Sequence, residues 1–128
     1  MNRFLLLIML VALVYSCSSR LFEQVQGHWV VDKVVWKNQE YPNYSFLANM
    51  ISFSTEGLCR VPIQNRRQAK QGKWSVVDTD KNLISIDIAN EMFTGVYNVT
   101  VYPTHDTIPE KMILQSESTI IYCSLILP

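Results

Sequence analysis

Between residues 27 and 127 the chain carries eight short apolar segments, each cut off by polar or turn-forming residues, and that spacing leaves little room for anything but a sheet. Gly27 to Trp36 is rich in Val and Trp, with Trp29, Val31 and Val35 on one parity and Val30, Val34 and Trp36 on the other. Both faces are apolar, which reads as a strand buried on both sides or lying at a closing seam. Met50 to Ser54 is followed by the turn signal Thr55-Glu56-Gly57 and then by Leu58 to Ile63. Residues 64–71 read as a polar loop. Gly72 to Val77 forms the next strand and Asp78 to Asn82 a turn. Leu83 to Ile88 then alternates cleanly, with Ile84, Ile86 and Ile88 on one side. Phe93 to Tyr102 sets Phe93, Tyr97, Val99 and Val101 against Thr94, Asn98 and Thr100. After a loop come Met112 to Ser116, a turn at Glu117-Ser118, and Thr119 to Leu127.

The fold class that follows is all-β: an eight-stranded antiparallel up-and-down meander closing into a small barrel. The last segment is long and apolar, so an open edge there would invite aggregation, and pairing it with the first removes the edge. The stretch 37–49 holds the one credible helix, a turn or two with Ser45 near its start. Length fits a single domain. The 11 Lys and Arg balance 11 Asp and Glu. A neutral chain argues against nucleic acid as partner. The one basic cluster, Arg66, Arg67, Lys70 and Lys73, reads as a solvated hairpin tip.

The first residues have a different character. Arg3 is the only charge ahead of an apolar run from Phe4 to Val14, which then leads through Tyr15 and Ser16 to Cys17. A short positive region, an apolar region and a small residue before a cut make a secretory signal, and the run is shorter than the roughly twenty residues a spanning helix needs. Val14, Ser16 and Cys17 resemble the lipobox of bacterial lipoproteins. That resemblance implies cleavage after residue 16 and acylation of Cys17. Residues 1–16 are then signal peptide, 17–25 lipidated cysteine and tether, and 26–128 the β domain. Two or more acyl chains anchor a protein stably. The implied partner is the membrane, and the implied location is the cell envelope, at the outer membrane. Ser18, Ser19, Arg20 and Leu21 follow the cysteine in place of the acidic run that marks some surface-exposed lipoproteins. The periplasmic face is therefore as plausible as the surface.

In their order, the β segments resemble the lipocalin-like domains of small Bacteroidetes-type lipoproteins. The residues that carry this are Gly27-His28-Trp29 opening the first strand, Phe53 to Gly57 at the first hairpin, Gly72-Lys73-Trp74, and Gly95-Val96-Tyr97. The likeness covers about residues 26–127. It implies that Gly27 supplies the backbone freedom for a tight turn into the first strand, and that Trp29 plugs the closed end of the barrel. Trp36, Trp74, Tyr97, Tyr102 and Tyr122 are candidates to line the barrel or an apolar ligand site, packed core and barrel ends being the favoured use for rings in so small a chain. No arginine follows Lys111 to stack on the plug tryptophan, and the chain is short for a lipocalin, which predicts a shallow barrel.

Catalytic and metal constellations find little support. His28 and His105 are the only histidines, and their spacing from Asp32, Asp106 or Glu110 does not compose a metal site. No G-x-S-x-G elbow, Cys-x-x-Cys pair or phosphate-binding glycine loop occurs. Asp87 and Glu91 read as exposed turn acids. Cys59 and Cys123 sit in apolar strands, where buried thiols are favoured over a disulfide. Asp106-Thr107-Ile108 resembles a short O-glycosylation motif of exported Bacteroidetes proteins. The expectation is a non-enzymatic protein without cofactor or metal. It either binds a small apolar or amphipathic molecule at a barrel mouth or serves as an accessory or assembly subunit of an envelope complex.

Overall fold

A computed structural model describes residues 20–103 and 110–126. The signal segment 1–16, the anchor Cys17, His105 and the Asp106-Thr107-Ile108 motif lie outside the described residues. Nine strands follow one another: β1 (Gly27–Trp36), β2 (Gln39–Pro42), β3 (Met50–Phe53), β4 (Leu58–Arg60), β5 (Gln71–Asp78), β6 (Leu83–Asp87), β7 (Gly95–Tyr102), β8 (Lys111–Gln115) and β9 (Thr119–Leu125). From β3 to β9 each strand pairs antiparallel with the next, β1 pairs with β3, and β9 returns to β1. The result is an eight-stranded closed antiparallel barrel, the architecture read from the sequence. The ninth strand, β2, forms a hairpin on the far half of β1.

β1 is the seam. Its first half pairs with β3 and its second half with β2, while its other edge pairs with β9 along almost its whole length. The register with β9 steps between Val31 and Lys33, leaving Asp32 as the extra residue of a bulge. A bulge reverses which parity faces inward. Trp29 and Val31 are buried before it and Val34 after it. That reversal is why both parities of this segment are apolar.

Two local readings are corrected. The stretch 37–49 holds no α-helix. Lys37 and Asn38 both take positive φ, at 51° and 66°, the geometry of a tight two-residue hairpin. β2 follows it, and then a single 3-10 turn at Asn43–Ser45. The helix lies instead at residues 20–25, within the supposed tether. Leu21 and Val25, four apart and so on one helical face, are both buried in the core. Residues 20–25 are therefore packed against the barrel. Pro62 also follows β4 closely, and the strand ends at Arg60, before the expected Ile63.

An eight-stranded barrel has an interior just wide enough for its own side chains. Here Ile51, Phe53, Ile84, Ile86, Tyr97, Met112, Leu114 and Ile121 fill it, all essentially inaccessible.

Candidate functional site

Both ends of the barrel are closed by side chains. At the end where β1 begins, Gly27 takes φ 122°, which only glycine adopts readily, and turns the chain from the helix into the strand. Trp29 is 1% exposed, and its indole Nε1 donates to the Val25 carbonyl at 2.9 Å. The Trp74 Nε1 donates to the Ser54 carbonyl at 2.9 Å. Phe22 of the helix stacks on Trp74 with centroids 4.8 Å apart, and Phe53 meets the same indole edge-on at 5.1 Å. Two indoles, each with its polar edge tied to a backbone carbonyl, thus seal this end beneath the helix.

The opposite end is stopped by the segment between β6 and β7. Ile88, Met92 and Phe93 are buried there, and Phe93 packs against Phe46 at 6.2 Å. The segment is held by hydrogen bonds rather than by packing alone. The Tyr97 hydroxyl donates to the Phe93 carbonyl and the Thr119 hydroxyl to the Met92 carbonyl, both at 2.7 Å. Asn90 is buried: its Nδ2 donates to the Ala69 carbonyl at 3.3 Å, and its Oδ1 accepts from the Met92 N–H at 3.2 Å. A buried amide with both its functions bonded stabilises this stopper, whereas an unbonded one would destabilise it.

The five rings named as candidates for barrel or ligand lining do not come together in one place. Trp74 and Tyr97 are core. Trp36 is half-buried at the rim, tilted against Tyr41 at 6.4 Å with the Lys37 ammonium over its ring. Tyr102 and Tyr122 face outward and share a depression of about 440 Å³ with Asp32, Lys33, Lys111 and Ile113.

That depression contains a polar group the sequence did not reveal. Ser124 Oγ donates to Asp32 Oδ2 and accepts from Lys111 Nζ, each at 2.6 Å, and Lys111 lies 3.7 Å from the same carboxylate. Lys33 sits over the Tyr122 ring at 4.7 Å. The three residues come from β1, β9 and β8, so the group clips the closing seam at its bulge. Its members satisfy one another and tie the three strands together. The available signal was the polar pair Asp32-Lys33 interrupting an otherwise apolar strand. Among the described residues no three His, Cys, Asp or Glu side chains converge in a metal-binding arrangement. Cys59 and Cys123 are both free and buried.

The outer wall carries the exposed apolar side chains. Tyr44 is 85% exposed, Leu47 62% and Met50 43%. Leu47 and Met50 border a groove of about 400 Å³ with Ala48, Val61 and Ile63, rimmed by His28, Arg60 and Lys70. A further polar depression lies beside the helix, between Arg20 and Gln24 on one side and Asn82 and Asn98 on the other.

Comparison with protein-family models, with curated proteins and with solved structures finds no match to this chain.

Proposed function

We propose that the chain is a membrane-anchored, lipocalin-like lipoprotein of the cell envelope whose barrel is a rigid, non-enzymatic scaffold, serving as an accessory or assembly subunit. The observation that carries the scaffold reading is the double closure of the barrel. Trp29 and Trp74 seal one end and Phe93 with Met92 stops the other, while the space between is occupied by core side chains. A barrel that enclosed a ligand would leave one end open or its interior unfilled. The two most exposed large apolar side chains among the described residues, Tyr44 and Leu47, lie instead on the outside of the barrel, on the loop between β2 and β3. Loops on rigid scaffolds are where binding commonly resides. The envelope reading rests on the signal-like leader and on Cys17 at its end.

Two measurements test this. Cys17→Ser should move the protein from the membrane fraction to the soluble one; retention in the membrane would remove the anchor. Crosslinking in intact membranes followed by purification should recover a defined partner; recovery of the bait alone would remove the accessory role. The small-ligand reading is supported by the outer depression around Tyr102 and Tyr122, which brings two of the candidate rings together. Native mass spectrometry that finds a co-purifying small molecule, displaced by Tyr122→Ala, would favour it.

A further inference from the structure

The groove over β1, β3 and β4 has walls fixed by backbone pairing. His28 stands opposite Ser52 and Ser52 opposite Arg60, so these three side chains form a row across the outer face. Above the row, the Leu47 N–H donates to the Ile63 carbonyl at 2.8 Å, joining the loop after the 3-10 turn to the loop after β4. Val61 is tied in the same way, its N–H donating to the Lys70 carbonyl at 2.9 Å. The floor is Leu47, Ala48, Met50, Val61 and Ile63.

The charge around this floor has one sign. Among the described residues, Arg60 and Lys70 line the groove and no acidic residue does. Arg66 and Arg67 are exposed on the same connection between β4 and β5. Among the described residues the ion pairs are Lys33 with Glu40 and Lys111 with Asp32, and neither draws on this cluster. The cluster is exposed beside an apolar strip, with Tyr44 on the loop between β2 and β3 that also carries Leu47. Tyr, Met and Arg are the residue types enriched where proteins meet. The occupant cannot add itself as a strand here, because both edges of β1 are taken and β3 lies between β1 and β4. It must bind through side chains.

We infer that this groove docks an acidic segment of a partner protein, one or two apolar side chains seated on Leu47, Met50 and Ile63 between carboxylates that meet Arg60 and Lys70. The inference names the partner chemistry of the accessory role proposed above and rests on that reading. Opposite charge across a partly desolvated rim steers the encounter and sets which partner is accepted. An apolar anchor at the centre supplies most of the affinity.

The test uses the full chain in native membranes, with a photo-crosslinking phenylalanine at Leu47 and, as control, at Val96 on the outward face of β7. The expected result is a crosslink to one partner from position 47 and not from 96, mapped by mass spectrometry to a segment rich in Asp and Glu around an apolar residue. The double variant Arg60→Glu/Lys70→Glu should weaken partner recovery about tenfold or more, as should Met50→Asp. Circular dichroism that leaves the sheet signal unchanged in these variants shows that the fold survives. Partner recovery unaffected by both variants overturns the groove and leaves the accessory role standing. Recovery of no partner from any position overturns both. A basic partner segment, or displacement of the partner by laurate as well as by an acidic leucine-containing peptide, overturns the assignment of the occupant.

Discussion

The Trp29 indole N–H is held 2.9 Å from the Val25 carbonyl, four residues earlier, and this contact joins the N-terminal helix to the floor of the barrel. Both residues are buried, so the bond is made out of water. It fixes where the helix ends and where the first strand begins, with Gly27 making the bend between them.

Trp29→Ala should therefore cost more than any surface change. Removing a buried indole from a packed core costs about 3–5 kcal/mol. Trp29→Phe keeps most of the apolar volume but leaves the Val25 carbonyl without its donor, for a loss of roughly 1–3 kcal/mol. Urea unfolding followed by circular dichroism measures both. A Trp29→Phe variant as stable as the parent would mean that packing alone matters here, and that the hydrogen bond to Val25 contributes nothing.

Leu21 decides whether residues 20–25 belong to the folded body. Leu21→Ala should destabilise the barrel by about 2–5 kcal/mol, because the side chain is buried against the core. Gln24→Ala, on the exposed side of the same helix, should stay within about 0.5 kcal/mol of the parent. A slack tether would be indifferent to both, so a neutral Leu21→Ala would place the helix outside the cooperative unit.

How much of this was legible in the sequence depends on the period of each element. Leu83 to Ile88 alternates strictly and became β6 with the expected residues inward. The closing of β9 on β1 was legible because Thr119 to Leu127 is too apolar to stand as an open edge. β2 was not, because Gln39, Glu40 and Tyr41 carry no apolar alternation, and the turn before it uses Lys37 and Asn38 at positive φ without a glycine. The helical residues 20–25 were missed because one apolar pair four apart, Leu21 and Val25, shows too little of the 3.6-residue period to outweigh its position beside a leader. The candidate ring set divided between core and outer wall for a related reason. Parity assigns a ring to a face, but the bulge at Asp32 and the stopper at Phe93 decide which face is interior and whether space is left there.

Gly72 marks a close approach rather than a turn. A Cβ placed on it would lie 2.4 Å from the Asp87 carbonyl oxygen and 2.7 Å from the Ile88 Cβ, both on the chain leaving β6. Backbone on that side cannot give way without shifting the pairing of Trp74 with Ile86 one step further along. Gly72→Ala should cost roughly 1–3 kcal/mol, the range for overpacking a closed interior. Gly57→Ala, with nothing nearer than 3.5 Å, serves as the comparison for strain from positive φ alone. Unfolding midpoints that rank Gly57→Ala as much the worse would show that the β5–β6 approach is softer than it looks.

The two thiols make the barrel sensitive to alkali. Burial pushes the Cys59 thiol up from its ordinary 9.0 to about 12. Cys123 is also pushed up, by burial first and by the nearby Asp32 carboxylate second. Burial likewise raises the Tyr97 hydroxyl to about 12, with the neighbouring Thr119 and Ser116 hydroxyls acting in the opposite direction. In each case the folded chain holds its proton more tightly than the unfolded one. The stability this contributes is fully present below pH 9, where both states are protonated. It is lost as pH rises toward about 12, because only the unfolded thiols ionise across that window. The loss should be on the order of 1 kcal/mol per pH unit for each thiol. Urea unfolding at a series of pH values from 7 to 11 measures the slope. Cys59→Ala/Cys123→Ala should be less stable at pH 7, through lost packing, yet show a shallower fall above pH 9. Iodoacetamide should modify neither thiol in the folded protein on the timescale that suffices in urea. Parallel pH profiles for the parent and the double variant, or rapid native alkylation of Cys59, would mean that these thiols are reachable by water and that the barrel wall around β4 opens.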